Sequence, residues 1–534
     1  MATKLAPAAS LADNLAAIVG PASVIDDLAE REFYSQDVFE RGVTCELVVR
    51  PGSTAELARV AAAVTAMGHD LIARGGGMSY TGGYLPTRAA TVIVDLARLD
   101  RIVEINAVDM YVTVEAGCTW ATLHTALEPL GLRTPYWGPL SGLRSTVGGA
   151  LSQNSVFFGS GIHGTAADTV IGLEVVLADG SIVTTGSAGD AQANAFFRHY
   201  GPDLTGLFTG DAGAFGIKAT ATLRLVRRPA AKRYASFGFD TRDALIAAMT
   251  GIARDGLATE CFAFDPVLQG MRMARAGLVS DVQVLGAVVR GQGSLGRGVV
   301  EGLRMAVAGR RFAKDVAWPL HIATEARTDA AADADIAAVR QLALAAGGRE
   351  TENTVPKAVH AAPFGPMNGM LGADGERWVP VHGVLPNSRV AAFFCDLDAF
   401  TARHAEAMTA RRIKTGCLIT SVGPGATLVE PVFYWPDARL PIHDRSVEAS
   451  LLARLPRHAE DSATRAVVTA LRAEIVALFA AAGASHFQVG KAYPYAASRD
   501  PATARFVAGL KRLVDPDARM NPGCLGLGGA PAGD

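Results

Sequence analysis

The run Arg74-Gly75-Gly76-Gly77-Met78-Ser79-Tyr80-Thr81-Gly82-Gly83 follows a short apolar stretch, DLIA, at 70–73. Three successive glycines permit turns closed to other residues and let the main chain approach a ligand closely. Consecutive exposed amides form a concavity that binds anions, and Arg74 and Ser79 add donors suited to a diphosphate. Taken alone, the pattern could equally be a surface turn. Two further glycine-bearing runs bear on that choice. One is PLSGLRSTVGG at 139–149, continued by GSGIHGT at 159–165, and the other is LFTGDAGAFGI at 207–217. Three such loops separated by strands fit a single long cofactor, with phosphate at one end and a flat ring at the other.

The surrounding sequence supplies the scaffold. LVVRPGSTAELARVAAAVTAMG reads as a strand and then a helix beginning at Ser53 or Thr54, with Glu56 in its first turn. TVIVDLARL and YVTVEAG read as strands, the second followed by a helix, WATLHTALEPLG. Asp179-Gly180 lies between two β-rich runs and predicts a hairpin. IKATATLRLVRRP closes this region on a strand. From about Tyr234 strand-plus-helix units follow, with Pro- and Gly-rich stretches near 355–372 and 423–442 as separators. Near the end Asp500 is placed to cap a helix opened by Pro501. The expected organisation is α+β: residues 1–228 as a first domain, 229–490 as a central α/β domain, and 491–534 returning to the first.

Composition narrows the options. The chain has 534 residues, 49% hydrophobic and 19% charged, with 50 basic and 52 acidic side chains and a net charge of −2. That balance gives no general pull towards nucleic acid or an anionic membrane. No uncharged apolar run reaches the ~18 residues of a membrane span. Six cysteines without a CxxC pair suggest a reducing cytoplasm rather than a disulfide scaffold. Cys118, following a strand, reads as buried and unreactive.

In order, the loop at 74–83, STVGGALSQNS, GIHGTAADTVIGLEVVLADG, GDAGAFGI and LVDPDARMNPG resemble the flavoprotein family of vanillyl-alcohol oxidase and p-cresol methylhydroxylase. Over the first 228 residues the likeness is nearest to the branch of glycolate, D-lactate and related 2-hydroxy-acid dehydrogenases. The resemblance implies an extended FAD held by a two-lobed amino-terminal domain and the last few dozen residues, beneath a central cap domain. It implies that Arg74, Gly75, Gly76, Gly77, Met78 and Ser79 bind the diphosphate. Pro139, Ser145, Thr146, Gly148, Gly149 and Ser152 would line flavin and ribityl. Gly161 and Gly164 would allow close approach, Ile217 would lie near adenine and Asn521 by the ring, with His163 close to it. A small-molecule substrate follows, with oxygen or a redox partner as electron acceptor. A homodimer is a common arrangement for such folds.

The departures are informative. Where relatives attach FAD through a histidine and a cysteine, this sequence has Met78 and Arg144, so non-covalent FAD is expected; His382, His443 or a cap tyrosine stay open as attachment points. Hydroxy-acid relatives often carry metal motifs, GHxDGNxH and GEHGIG. Here SVGPGATLVEPVF and SHFQVGK stand in their place, with Pro424, Phe433 and Phe487-Gln488 replacing imidazoles. No metal is therefore expected. Glu430 or His486 could serve as base, and Arg439, Lys491 or Tyr493 could hold a carboxylate or phenolate, although each has a plain structural alternative. Phe433 and Trp435 share one face of a strand, with Tyr434 opposite. The run Gly291-Gln292-Gly293-Ser294-Leu295-Gly296, with Asp315 onward, imitates a dinucleotide fingerprint but reads as a turn entering a cap helix.

The sequence thus leads to an FAD enzyme oxidising a hydroxyl-bearing carbon, in a substrate larger or more apolar than lactate. The alternative is oxidation of para-substituted phenols or aromatic alcohols. A non-catalytic flavin-binding protein would need a blocked ring face, and no residue pattern suggests one.

Overall fold

Ser53 does cap the helix Thr54–Ala66. Its hydroxyl accepts the Glu56 amide at 3.1 Å, and the Glu56 carboxylate accepts the Gly52 amide at 2.7 Å. The computed structural model of the protein describes residues 10–276 and 318–528, apart from the side chains of 272–276. The run from Gly291 to Gly296, together with Asp315, lies outside the described residues.

The helix Thr54–Ala66 connects two strands of a four-stranded sheet made of β1 (Val24–Ile25), β2 (Leu47–Val49), β3 (Asp70–Arg74) and β4 (Thr91–Asp95). The order is β1-β2-β4-β3, with β2 and β3 parallel to β4. Leu57, Val60, Ala61 and Val64 repeat at helical spacing and are buried, packed with Val49, Leu71, Val92 and Val94 of the sheet. β3 therefore emerges from a rigid, apolar layer at the point where the glycine run begins.

Along the next stretch lie β5 (Ile102–Asn106), β6 (Tyr111–Glu115), β7 (Leu132–Arg133), β8 (Val170–Val176), β9 (Ile182–Thr184), β10 (Ile217–Arg224) and β11 (Val226–Arg227). Five of them form an antiparallel sheet ordered β5-β6-β10-β8-β9, while β7 and β11 pair as a short ribbon. Asp179-Gly180 turns the β8–β9 hairpin as its dipeptide predicts, with Gly180 at φ 83°.

A larger antiparallel sheet follows: β12 (Ala231–Phe239), β13 (Glu260–Phe264), β14 (Trp318–Ala326), β15 (Arg349–Thr351), β16 (Arg377–Pro380), β17 (Gly383–Pro386), β18 (Lys414–Val422) and β19 (Ala426–Trp435). Its order is β15-β12-β14-β13-β18-β19-β16, with β17 also on β19. One reading from composition needs correction here, and another needs only refining. The stretch 423–442 is no separator: residues 423–425 turn the β18–β19 hairpin and β19 is a ten-residue strand. Within 355–372, Pro356 stands in the first turn of the helix Thr354–Ala361, where a missing amide costs no intrahelical bond.

Asp500 accepts the amides of Ala502 and Thr503 (3.0 and 3.1 Å) and opens the helix Pro501–Val514. The chain then runs back beside β3. The Leu71 amide donates to the Arg519 carbonyl and the Asn521 amide to the Leu71 carbonyl, both at 2.9 Å. Buried Lys511 fixes this return by donating to Ala214 O, Met520 O and the Asp515 carboxylate at 2.6–2.7 Å. All six cysteines are unpaired and all but Cys395 are buried; burial pushes the Cys118 thiol up to about 12, which leaves it unreactive. Among the described residues no helix is long and apolar enough to cross a membrane.

Candidate functional site

The three glycine-bearing loops converge on one cavity of about 330 Å³. Residues 75–79 form one side. Pro139, Ser145, Thr146, Gly148, Gly149 and Ser152 form the second, and Ala212, Gly213, Gly216, Ile217 and Lys218 the third. The large sheet closes the space through Leu428, Glu430, Val432 and Tyr434, alternate residues on one face of β19, and through Trp378. Phe433 and Trp435, on the opposite face, are packed in the main core.

The loops differ in their available hydrogen-bond donors. Among the described residues, the main-chain amides of residues 76–79 meet no protein acceptor. In the second loop, Val147 donates to Cys118 O, Gly148 to Ala116 O and Gly149 to the Thr146 hydroxyl. Free donors for an anion are therefore concentrated in the first loop, while the second contributes shape and hydroxyls. The loops touch at Gly76, where a β-carbon would lie 1.9 Å from the Arg144 carbonyl oxygen. No larger residue fits without moving one loop.

Several expected cofactor residues stand behind the wall rather than in it. The Arg74 guanidinium lies over the rings of Tyr34 (4.7 Å), Phe33 (5.0 Å) and Tyr84 (5.5 Å), which it anchors by cation–π attraction. Gly161 donates its amide to Thr259 O, joining the loop to β13's approach, and Gly164 ends the short helix Ser160–His163. His163, at that helix end, is brought down to about 4 by burial and does not line the cavity. Asn521 donates to Gly83 O and Ala212 O, both at 2.7 Å, tying the first loop to the third. Its buried Oδ1 has no hydrogen-bond partner among the described residues.

Of the five candidate catalytic residues, Glu430 alone lines the cavity. It is 9% exposed, and the Tyr80 hydroxyl donates to its Oε2 at 3.4 Å. Gln488 in turn donates to the Tyr80 oxygen at 3.2 Å. The other four candidates are engaged elsewhere. Arg439 donates to the carbonyls of Leu452, Leu455 and Pro456. Lys491 donates to Leu85 O. His486 bonds through Nδ1 to His382 O at 2.8 Å and stacks on Tyr493 at 4.0 Å. The Tyr493 hydroxyl accepts the His382 amide at 2.9 Å. Burial lowers the imidazole of His486 and raises the phenol of Tyr493, so both favour their neutral forms.

The residues considered for cofactor attachment fall likewise. Met78 faces the cavity. Arg144 donates to the Ser446 hydroxyl, His382 is fully buried and stacked on Phe487 at 4.0 Å, and His443 accepts the Leu440 amide. No three His, Cys, Asp or Glu side chains among the described residues converge as a metal cluster. Wall residues that the sequence did not mark include Phe157, Met367, Met370 and Trp378. The period-two rule on β19 could have found the Glu430 face, but nothing local marks the others.

Residues 45–186 match the family described as an FAD binding domain. That part of the chain is an FAD-binding domain, the protein is related to FAD-linked glycolate oxidase and D-lactate dehydrogenase proteins, and its fold is like that of p-cresol methylhydroxylase, with a TM-score of 0.70 at 16% identity over 98% of this chain and 97% of that one. It is 33% identical to the glycolate oxidase subunit GlcD of Bacillus subtilis, over 41% of this chain and 46% of that protein. It is 27% identical to the mitochondrial D-lactate dehydrogenase [cytochrome] 1 of Saccharomyces cerevisiae, over 40% and 35%. The match therefore spans less than half the length of these curated relatives. The solved structure of 4-ethylphenol oxidase from Gulosibacter chungangensis superposes with a TM-score of 0.70 at 19% identity, covering 97% of this chain and 96% of that one, which is a likeness of fold.

Proposed function

We propose that the protein is an FAD-dependent oxidase or dehydrogenase that removes a hydride from a hydroxyl-bearing carbon of a 2-hydroxy-acid-like substrate larger than lactate. The observation that carries this reading is a single buried carboxylate, Glu430, in an otherwise apolar and aromatic wall of the cavity that the open-amide loop also lines.

The residues fit the cofactor. In this reading the amides of residues 76–79 hold the diphosphate, Ser79 adds a hydroxyl, and the second loop shapes the flavin end. The unpartnered Asn521 Oδ1 offers an acceptor beside the first and third loops. Bound FAD would supply the hydride acceptor. Glu430 takes the substrate hydroxyl proton, and the Tyr80 hydroxyl stabilises its charged form. Leu418, Leu428 and Val432 exclude water from this end of the cavity, which strengthens those interactions. We assign 1–228 and 491–534 to cofactor binding and 229–490 to the substrate cap. Unpaired thiols suit a cytoplasmic setting, and a homodimer is our expectation for its assembly.

Oxidation of a para-substituted phenol or aromatic alcohol is the second reading. Among the described residues, the sole cation in the wall is Lys218, which is paired with Asp211 at 2.6 Å on the third loop. Tyr80, Trp378 and Tyr434 instead offer aromatic surface near Glu430. Anaerobic bleaching of the flavin separates the readings. Reduction by 2-hydroxy acids, lost when the carboxylate becomes an amide, supports the first. Reduction solely by free phenols, lost on O-methylation, rejects it for the second. Mixing the reduced protein with air then tests oxygen against a redox partner as acceptor.

A further inference from the structure

Residues 362–371 lead from the helix Thr354–Ala361 towards β16 and form a wall of the cavity through Pro366, Met367, Gly369 and Met370. Three contacts fix their course. The Phe364 ring sits against Gly138 and Gly142, and a β-carbon on Gly142 would lie 2.3 Å from that ring. This seat exists because residue 142 has no side chain, and it lies between the cap segment and the second cofactor loop. The ring also meets His124, Trp137 and Phe158 at centroid distances of 5.7–6.0 Å. Further on, the Asn368 amide donates to the Glu448 carboxylate at 2.6 Å, and its oxygen accepts the Glu448 amide at 3.1 Å. Leu371 then bridges to Arg377, and the chain enters β16, where Trp378 lies opposite Tyr434 of β19.

Met367 and Met370 stand between these anchors, buried to 8% and 6% exposure. The main chain beneath them is held on both sides and cannot easily withdraw. Their unbranched thioether side chains can change rotamer at little cost. A wall of that kind accommodates apolar groups of graded size, yet sets a limit where the backbone stops yielding.

We propose that Met367 and Met370 determine substrate size, forming an adaptable end wall for an uncharged chain or ring that extends beyond the reacting carbon. This rests on the reading of the cavity as the substrate site. It assigns them no part in the proton or hydride chemistry.

The test uses the intact holoprotein and the variants Met367→Ala and Met370→Ala. The probes are straight-chain 2-hydroxy acids from methyl to hexyl side chains, and para-alkylphenols from methyl to butyl. Bleaching rate and apparent binding constant are measured for each. One methylene in an apolar pocket discriminates roughly 10–200-fold. The variants should therefore gain about tenfold or more on the longest members and lose on the shortest, a crossover that general damage would not produce. An unchanged chain-length profile, even at lower overall rate, would overturn the proposal while leaving the functional reading intact. If no probe bleaches the parent flavin, the functional reading fails first and takes this proposal with it. Should an alanine variant not fold, Met367→Leu and Met370→Leu conserve volume while stiffening the wall. They should narrow the accepted lengths, and an unaltered range would count against the proposal.

Discussion

Gly76 approaches the Arg144 main chain so closely that any β-carbon on it would fall 1.9 Å from the Arg144 carbonyl oxygen. The first and second loops are therefore fitted to one another before any cofactor is considered. Gly76→Ala should cost at least about 1–3 kcal/mol of stability as the loops are forced apart, and Gly76→Val more. Thermal melting together with flavin content checks this, and a Val variant with the parent's melting point and flavin would contradict it.

The purified protein should be yellow, with one FAD per chain. Acid precipitation should release nearly all of it to the supernatant. Met78 faces the cavity where a histidine could form a bond, and Arg144 is directed to Ser446. Colour remaining in the washed precipitate would show covalent attachment.

Glu430→Gln keeps the shape of the wall but removes the base. We expect flavin reduction by the best substrate to slow by about 10²–10⁴-fold, with FAD content and melting temperature near those of the parent. A reduction rate within a few-fold of the parent would assign the proton to another group.

Stability should carry a pH signature from Asp37. This carboxylate is fully buried and accepts the amides of Phe39, Glu40 and Gly82 at 2.8–2.9 Å. Burial, followed by the charge of Glu40, raises it to about 6, with Arg377, Arg472 and Tyr84 also facing it. A raised carboxyl binds its proton more tightly in the folded state, so its contribution is present at low pH and is lost as pH rises from about 4 to 6. The amplitude is roughly 3 kcal/mol. Denaturant unfolding of Asp37→Asn beside the parent isolates this slope. Equal pH dependence in both proteins would refute it.

Chelation should leave flavin reduction unchanged, as the resemblance implies, with Pro424, Phe433 and Phe487-Gln488 in place of the histidines of metal motifs. Activity before and after exhaustive dialysis against a chelator, with elemental analysis, decides the point.

Local chemistry made much of the scaffold legible. Ser53 with Glu56, Asp179-Gly180 and Asp500-Pro501 each set a cap or turn through contacts a few residues apart, and each stands where the sequence places it. The glycine run was equally readable, since the absence of a side chain is a property of the residue itself. The stretch 423–442 misled because glycine and proline signal a break without saying whether it is a hairpin turn or a boundary.

What the sequence by itself determined was the set of loops and their order, because these depend on backbone freedom and short-range hydrogen bonding; the flavoprotein type was what their resemblance to a known family implied. Only the tertiary structure decided which polar side chains reach the cavity. Glu430 faces inward because β19 alternates its side chains, whereas Lys491 and Arg439 are drawn away to satisfy carbonyls of Leu85 and of 452–456. The acceptor of Lys491 comes from a segment 406 residues away, and those of Arg439 from a turn 13–17 residues further on. A buried carbonyl without a donor costs free energy, and which cation answers it depends on three-dimensional proximity rather than on any local pattern.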